Sequence, residues 1–246
     1  MAEIAYLEGP SARLAYAFTP GITPTIVFLS GYKSDMEGTK AVHLEAWAEA
    51  EGRAFLRLDY SGHGQSGGVF EGGCIGDWAA DAQAVIEAVT EGPLLLVGSS
   101  MGGWIASILA KRLSARMAGF VGIAAAPDFT EDGFWASFSD DEKRKVMEEG
   151  VTYMPSAYGD PYAITKRLIE DGRDQLVLRA PLPMPYPVRL LQGTEDAAVS
   201  RETALALFDH IEGKDVRLTF LKGADHRLSE PADLAAVEAA ILEVLG

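Results

Sequence analysis

Five residues, Gly98-Ser99-Ser100-Met101-Gly102, constrain this chain more than any others. They fit the pattern G-x-S-x-G, and they lie between a compact apolar run, Leu94–Val97, and a helix-compatible stretch, Met101–Leu113. In that context the pattern has a mechanical meaning: a buried strand turns sharply into a helix with a serine at the apex. The turn is so tight that a side chain at either outer position would clash. Glycine at both positions lets Ser100 take a strained backbone with its oxygen exposed. Ser99 lacks that flanking geometry and is expected to point into the turn. A strand that feeds a helix in this way belongs to a parallel sheet with crossover helices, so the rest of the chain is expected to alternate likewise.

The alternation is visible along most of the 246 residues. Ile4–Leu7 and Leu14–Phe18 read as opening strands, and Thr25–Leu29 as a buried β-branched strand. Thr39–Ala50 reads as a helix with Ala41, Leu44 and Ala48 on one face, followed by a strand at Ala54–Leu58. Asp77–Glu91 carries Trp78, Ala82, Val85 and Val89 along one stripe and is stopped by Gly92-Pro93. After the elbow comes a strand at Phe120–Ala124. The pattern then breaks: residues 127–185 hold helical pieces near Asp140–Glu149 and Ala163–Asp171 but no clear buried strand. It resumes with a strand at Val188–Leu191 and a helix at Arg201–Glu212, capped by Ser200 and ended by Gly213. A last strand, Val216–Leu221, precedes a helix from Pro231 with Leu234, Val237, Ile241 and Leu245 on one face. The expectation is an α/β fold over residues 1–246, a mostly parallel central sheet flanked by helices, with 127–185 inserted as a helical lid. Phe134, Trp135, Phe138, Met147, Tyr153 and Met154 make that insertion apolar enough to roof a site.

Serine is a weak nucleophile without a neighbouring base. Of the four histidines, His43 lies in a helix pattern, His63 in a glycine-rich loop and His210 near a helix end; surface or packing roles suit them. His226 follows the last strand, where the order serine, acid, histidine places the base. The acid should end a strand between them. Asp196, three residues past Gly193, can reach across to the imidazole; Glu195 and Asp128 compete, and Asp225 reads as a loop residue. The acid holds the imidazole tautomer and stabilises the imidazolium without taking its proton. Backbone N–H groups of Met101, after the nucleophile, and of Tyr32, in the loop Ser30-Gly31-Tyr32-Lys33-Ser34, are the expected oxyanion donors.

Other chemistries are disfavoured. The loop Asp59–Ser66 is glycine-rich, but no G-K-[ST] follows, so it is not a phosphate loop. No His or Cys cluster has metal-ligand spacing, and neither metal nor cofactor is expected. Cys74 stands alone, which rules out an intrachain disulfide and suggests no catalytic role. The balance of 21 basic against 36 acidic residues leaves a net charge of −15, which repels nucleic-acid phosphates and anionic membrane surfaces. No run approaches the roughly 20 apolar residues of a membrane span. Met1–Gly9 lacks the features of a signal peptide, so a cytoplasmic protein is expected.

These residues resemble the α/β-hydrolases across nearly the whole chain. Among them they are similar to the family of the mitochondrial acyl-protein thioesterase also named mycophenolic acid acyl-glucuronide esterase, with its bacterial relatives. The matching segments are Gly31-Tyr32 with Gly38-Thr39-Lys40-Ala41, Asp59-Tyr60-Ser61-Gly62, Gly98-Ser99-Ser100 with Gly102-Gly103-Trp104, Met154-Pro155-Ser156 with Tyr158, Pro187-Val188-Arg189-Leu190-Leu191, and Asp225-His226-Arg227. The resemblance implies an esterase or thioesterase with Ser100, Asp196 and His226 as its triad, acting on a small-molecule or acylated substrate. Gln192 and Ser200 depart from it, where many relatives carry His and Pro; neither is expected to touch the triad. Carbon–carbon bond hydrolysis, peptide cleavage and a non-catalytic receptor are the rival readings on the same scaffold.

Overall fold

The computed structural model describes residues 2–156 and 159–246; Tyr158, one of the residues carrying the resemblance, lies outside them. The strands are β1 (Ile4–Glu8), β2 (Arg13–Thr19), β3 (Ile22–Leu29), β4 (Arg53–Leu58), β5 (Leu94–Ser99), β6 (Met117–Ile123), β7 (Val151–Ser156), β8 (Gly159–Thr165), β9 (Leu182–Pro183), β10 (Val188–Gly193), β11 (Ile211–Glu212) and β12 (Val216–Leu221). The helices are α1 (Thr39–Ala50), α2 (Ile75–Val89), α3 (Met101–Arg112), α4 (Asp140–Arg144), α5 (Lys166–Asp174), α6 (Arg201–His210) and α7 (Pro231–Leu245). Eight strands form the central sheet in the order β1-β2-β4-β3-β5-β6-β10-β12. The β1–β2 and β2–β4 pairs are antiparallel and the remaining pairs parallel. This is the mostly parallel sheet that the alternation predicts.

Both sheet faces are covered, as the continuous apolar strands require. Along β5, Leu94 and Leu96 join one core cluster and Leu95 and Val97 the other. The first cluster takes in Trp78, Val85 and Ile86 of α2, Trp104, Ile105 and Leu109 of α3, and Leu207 of α6. The second takes in Ala41, Leu44 and Ala48 of α1 with Val237, Ile241 and Val244 of α7. Helices therefore sandwich the sheet, and the parallel strands aim their C-terminal ends at one rim, where ligands of open α/β sheets bind.

Two local expectations are corrected. The insertion between β6 and β10 holds the expected helical pieces, Asp140–Glu149 and α5, but also an antiparallel hairpin of β7 and β8. Gly150 at φ 91° ends the preceding turn and releases Val151-Thr152-Tyr153 into an alternating strand, with Thr152 buried and Tyr153 exposed. The pairing register shifts at Pro155, which hides the period of the run. Helix α6 ends at His210 rather than at Gly213, because Ile211–Glu212 pairs in parallel with Leu182–Pro183.

Candidate active site

The elbow follows the geometry its glycines predict. Ser100 sits at φ 54°, ψ −120°, a backbone conformation that costs about 1–3 kcal/mol. Its N–H donates to the Ile123 carbonyl (2.9 Å), and its carbonyl accepts from the N–H groups of Gly103 (2.9 Å) and Ala126 (3.0 Å). A Cβ at Gly98 would lie 2.3 Å from the Gly102 carbonyl oxygen, and one at Gly102 only 2.0 Å from that of Leu29. The two glycines are thus dictated by how closely the turn packs on itself and on the end of β3. Ser99 is buried in β5 opposite Ile123.

His226 lies in the loop after β12, and its Nε2 is 3.1 Å from Ser100 Oγ. Its Nδ1 is 2.8 Å from Asp196 Oδ2. A carboxylate only accepts, so Nδ1 carries the hydrogen in the neutral ring and Nε2 faces the hydroxyl as an acceptor. Asp196, in the loop after β10, has a fully buried side chain. Its Oδ1 accepts from the N–H groups of Ala198 and Val199, both at 2.8 Å. Burial opposes the charge, but the bonds from His226, Val199 and Ala198 outweigh it and hold the carboxyl below the usual range.

The loops carrying the acid and the histidine are laced together. The Glu195 N–H donates to the Ala224 carbonyl (3.0 Å) and the Gly223 N–H to Thr194 Oγ1 (2.8 Å). A Cβ at Gly193 would stand 2.3 Å from the Ala224 carbonyl oxygen, so only glycine admits this approach. From α1, the Lys40 ammonium donates to the Arg227 carbonyl and steadies the far side of the histidine loop. Burial lowers the Lys40 pKa to about 8.

One residue expected to stand apart does not. Gln192, at the end of β10, donates through Nε2 to Asp196 Oδ2 (2.9 Å) and to the Val199 carbonyl (3.0 Å). The chain bends sharply between Gly193 and Asp196, which folds the acid back over the strand end; a spacing of four read as extended chain conceals that contact. Ser200 fits its expected cap, accepting from the Thr203 N–H at 3.1 Å.

The competing residues are engaged elsewhere. Asp128 is buried, accepts from the N–H groups of Val177 (2.8 Å) and Leu178 (3.0 Å), and pairs with Arg179 at 2.9 Å. Glu195 is exposed, and Asp225 accepts from the Arg227 N–H within its own loop (2.9 Å). His43 Nε2 is 2.6 Å from Glu238 Oε1, and His210 Nε2 is 2.8 Å from the Ala180 carbonyl oxygen. His63 is buried with Nδ1 3.1 Å from the Ser61 carbonyl oxygen. Cys74 is buried, and burial pushes its thiol up to about 12, away from the reactive thiolate form. Among the described residues, no group of three or more His, Cys, Asp and Glu converges as a metal site.

The loop after β3 lies against Ser100. A Cβ on Gly31 would be 3.3 Å from Ser100 Cβ and 3.8 Å from Ser100 Oγ. Met101 opens α3, so its N–H belongs to the first-turn donors that no helical carbonyl satisfies. The Tyr32 ring stands edge-on to Phe70 (4.9 Å between centroids), Tyr162 (5.6 Å), Phe129 (5.8 Å), Trp78 (6.0 Å) and Phe134 (6.0 Å). Three of these partners belong to the insertion, which therefore seats directly on the loop that carries Tyr32. Asp59 ties the same loop to its own, accepting from the N–H groups of Met36 (2.7 Å) and Gln65 (2.8 Å). Of the insertion's other large residues, Phe138 is buried in the core cluster and Tyr153 is 64% exposed.

Known proteins share this chain's sequence pattern and fold. The sequence profile of the alpha/beta hydrolase family matches residues 26–237. The chain is 36% identical over 237 residues to the palmitoyl-protein thioesterase ABHD10, mitochondrial, of Bos taurus, covering 94% of this chain and 76% of that one. The crystal structure of a putative hydrolase from Agrobacterium vitis S4 superimposes with a TM-score of 0.96 at 37% identity, over 100% of both chains. Alpha/beta hydrolase domain-containing protein 10 from mouse gives a TM-score of 0.91 at 32% identity, over 99% of this chain and 98% of that one. The matched mammalian relatives are all named as mitochondrial, and this overturns the expectation of a cytoplasmic protein. That expectation rested on Met1–Gly9 lacking the features of a secretory signal, which does not separate the cytoplasm from an organelle reached by another route. No described helix is long and apolar enough to cross a membrane.

Proposed function

Because the chain belongs to the alpha/beta hydrolase family, we propose that it is a serine hydrolase of carboxylic esters and thioesters, with Ser100 as nucleophile, His226 as base and Asp196 as acid. The observation that carries this reading is the relay itself: Ser100 Oγ 3.1 Å from one imidazole nitrogen, and a buried carboxylate 2.8 Å from the other. Ser100 Oγ attacks the acyl carbonyl while His226 Nε2 takes its proton, and Asp196 stabilises the resulting imidazolium without accepting that proton. The N–H groups of Tyr32 and Met101 hold the oxyanion, each contributing about 3–4 kcal/mol to the transition state. His226 then protonates the departing alcohol or thiol. Water attacks the acyl group on Ser100 and gives a proton to His226, which returns it to Ser100 Oγ as the acyl–oxygen bond breaks and the free acid leaves.

The substrate class follows from the walls and the kinship. Relatives at 34–36% identity are named palmitoyl-protein thioesterases, and the insertion 127–185 brings Phe129, Phe134 and Tyr162 onto Tyr32 beside the nucleophile. We read the insertion as a lid whose aromatic underside receives the acyl group of an acylated protein or small molecule. The test of the assignment is an organophosphonate probe followed by peptide mapping. Ser100 takes the label and Ser100→Ala loses both label and turnover; label on Ser99 would refute it.

A further inference from the structure

We infer that Gln192 is a positioning residue for the acid, sharing Asp196 Oδ2 with His226 and setting the pH at which the base becomes available. This rests on the assignment of Ser100, His226 and Asp196 made above. Asp196 Oδ2 is shared by two donors, His226 Nδ1 at 2.8 Å and Gln192 Nε2 at 2.9 Å. Only the first belongs to a group that changes charge.

The orientation of the amide is forced by its surroundings. Nε2 faces three acceptors: Asp196 Oδ2, the Val199 carbonyl at 3.0 Å and the Gly193 carbonyl at 3.5 Å. Turning the amide over would set Oε1 against three oxygens. The opposite end is buried with no partner, and Gln192 lines a small pocket with Leu190, Ala204, Leu207 and Leu218. Buried polar atoms are nearly always paired, so a glutamine kept for packing alone is a poor choice at this position. Its acceptor goes unsatisfied while its donors serve the acid and the backbone that also holds the acid.

The neutral donor has two consequences. It anchors Oδ2, the oxygen that meets His226, while Ala198 and Val199 anchor Oδ1. It also draws electron density from Oδ2, which tempers the pull on the imidazolium that forms during catalysis. The other ionisable groups around His226 are Asp225 and Arg227 in its own loop, Glu195 beside the acid, and Lys40 of α1 on the Arg227 carbonyl. Arg201 of α6 binds the Thr194 carbonyl, and Asp233 of α7 acts on Lys40. Replacing Gln192 leaves all of these in place.

The test compares kcat/KM against pH for wild type, Gln192→Glu and Gln192→Met on p-nitrophenyl butyrate, with active sites counted by phosphonate titration. Gln192→Glu sets a second carboxylate against Asp196 and favours the imidazolium, so the acid limb moves up by about one pH unit or more. Gln192→Met removes the donor at similar length; the limb moves up by less, and kcat falls several-fold with KM nearly unchanged. Acid limbs that superimpose on wild type overturn the inference, as does loss of the folded state in both variants, which would make Gln192 a packing residue. If only Gln192→Met fails to fold, the isosteric Gln192→Glu decides. A wild type that is not labelled at Ser100, or a Ser100→Ala that still turns over, refutes the site assignment itself and is read from the same samples.

Discussion

Asp196→Asn isolates what the acid does, because the structure dictates how the new amide must lie. Two backbone N–H groups, from Ala198 and Val199, point at Oδ1 at 2.8 Å. They accept an oxygen there and repel an NH₂ group, so the asparagine carbonyl takes that side, the two fixed backbone donors outweighing the single donor that Gln192 Nε2 presents at the other. Its NH₂ then faces His226 Nδ1, which must become the acceptor, and the ring hydrogen moves to Nε2, where it points at Ser100 Oγ. The base is present but in the wrong tautomer. In a serine triad that state costs about 10⁴-fold in kcat, or about 5 kcal/mol of transition-state stabilisation. Asp128→Asn is the control. Asp128 serves Val177, Leu178 and Arg179 rather than His226, so its loss costs stability of about 1–3 kcal/mol and leaves kcat per titrated site within a few-fold. The assay is kcat at saturating p-nitrophenyl butyrate near pH 8, normalised to phosphonate-reactive sites, beside the melting temperature of each variant. If Asp196→Asn keeps more than about a tenth of wild-type kcat, or Asp128→Asn falls further, the tautomer argument is wrong.

Acyl length should matter: each methylene buried in the transition state contributes about 0.8 kcal/mol, so two longer carbons raise kcat/KM about tenfold, and Phe134→Ala flattens that slope from acetyl to palmitoyl. A slope that favours acetyl, or one untouched by Phe134→Ala, assigns the insertion to packing. His63 offers a pH prediction on stability rather than rate. Burial lowers its pKa from 6.5 to about 4, so below about pH 6.5 the unfolded chain takes a proton that the folded chain refuses. Stability therefore falls as pH drops from about 6.5 and levels off below about 4, by at most about 3 kcal/mol, and His63→Phe removes that part of the fall. Urea denaturation at pH 7 and 4.5 measures it; equal losses in both proteins would refute the reasoning.

The elements of this chain are legible wherever one period dominates. Trp78, Ala82 and Val85 form one buried helical stripe, and Leu94–Val97 divides its side chains between two cores. The elbow is legible because its glycines answer to local crowding, which a five-residue pattern can express. Between Asp128 and Asp196 the sequence leaves a choice, since both follow strands; what separates them is Arg179, fifty-one residues from one of them and invisible to any local pattern. The aromatic cluster on Tyr32 draws on positions from 70 to 162 and has no signature along the chain. Gln192 is the instructive miss. It departs from the resemblance where many relatives carry His, yet its contact depends on a turn of backbone that residue type does not announce.

The Asp128 contacts have a meaning beyond excluding a rival acid. They join the first residues after β6 to a point 49 to 51 residues later, just before β10 resumes the sheet. The excursion between is tied at its neck, as a sack is by a drawstring. What is gathered above the tie can be lengthened, refolded or exchanged at little cost in chain entropy, which rises only as the logarithm of loop length. The strands beneath feel such a change through the loop of Tyr32 and through Phe138, Val146 and Ile164, which share their core. On the proposed reading of the insertion as a lid, a scaffold so fastened can change its substrate without new catalytic residues, and a graft cut on either side of the knot redirects it.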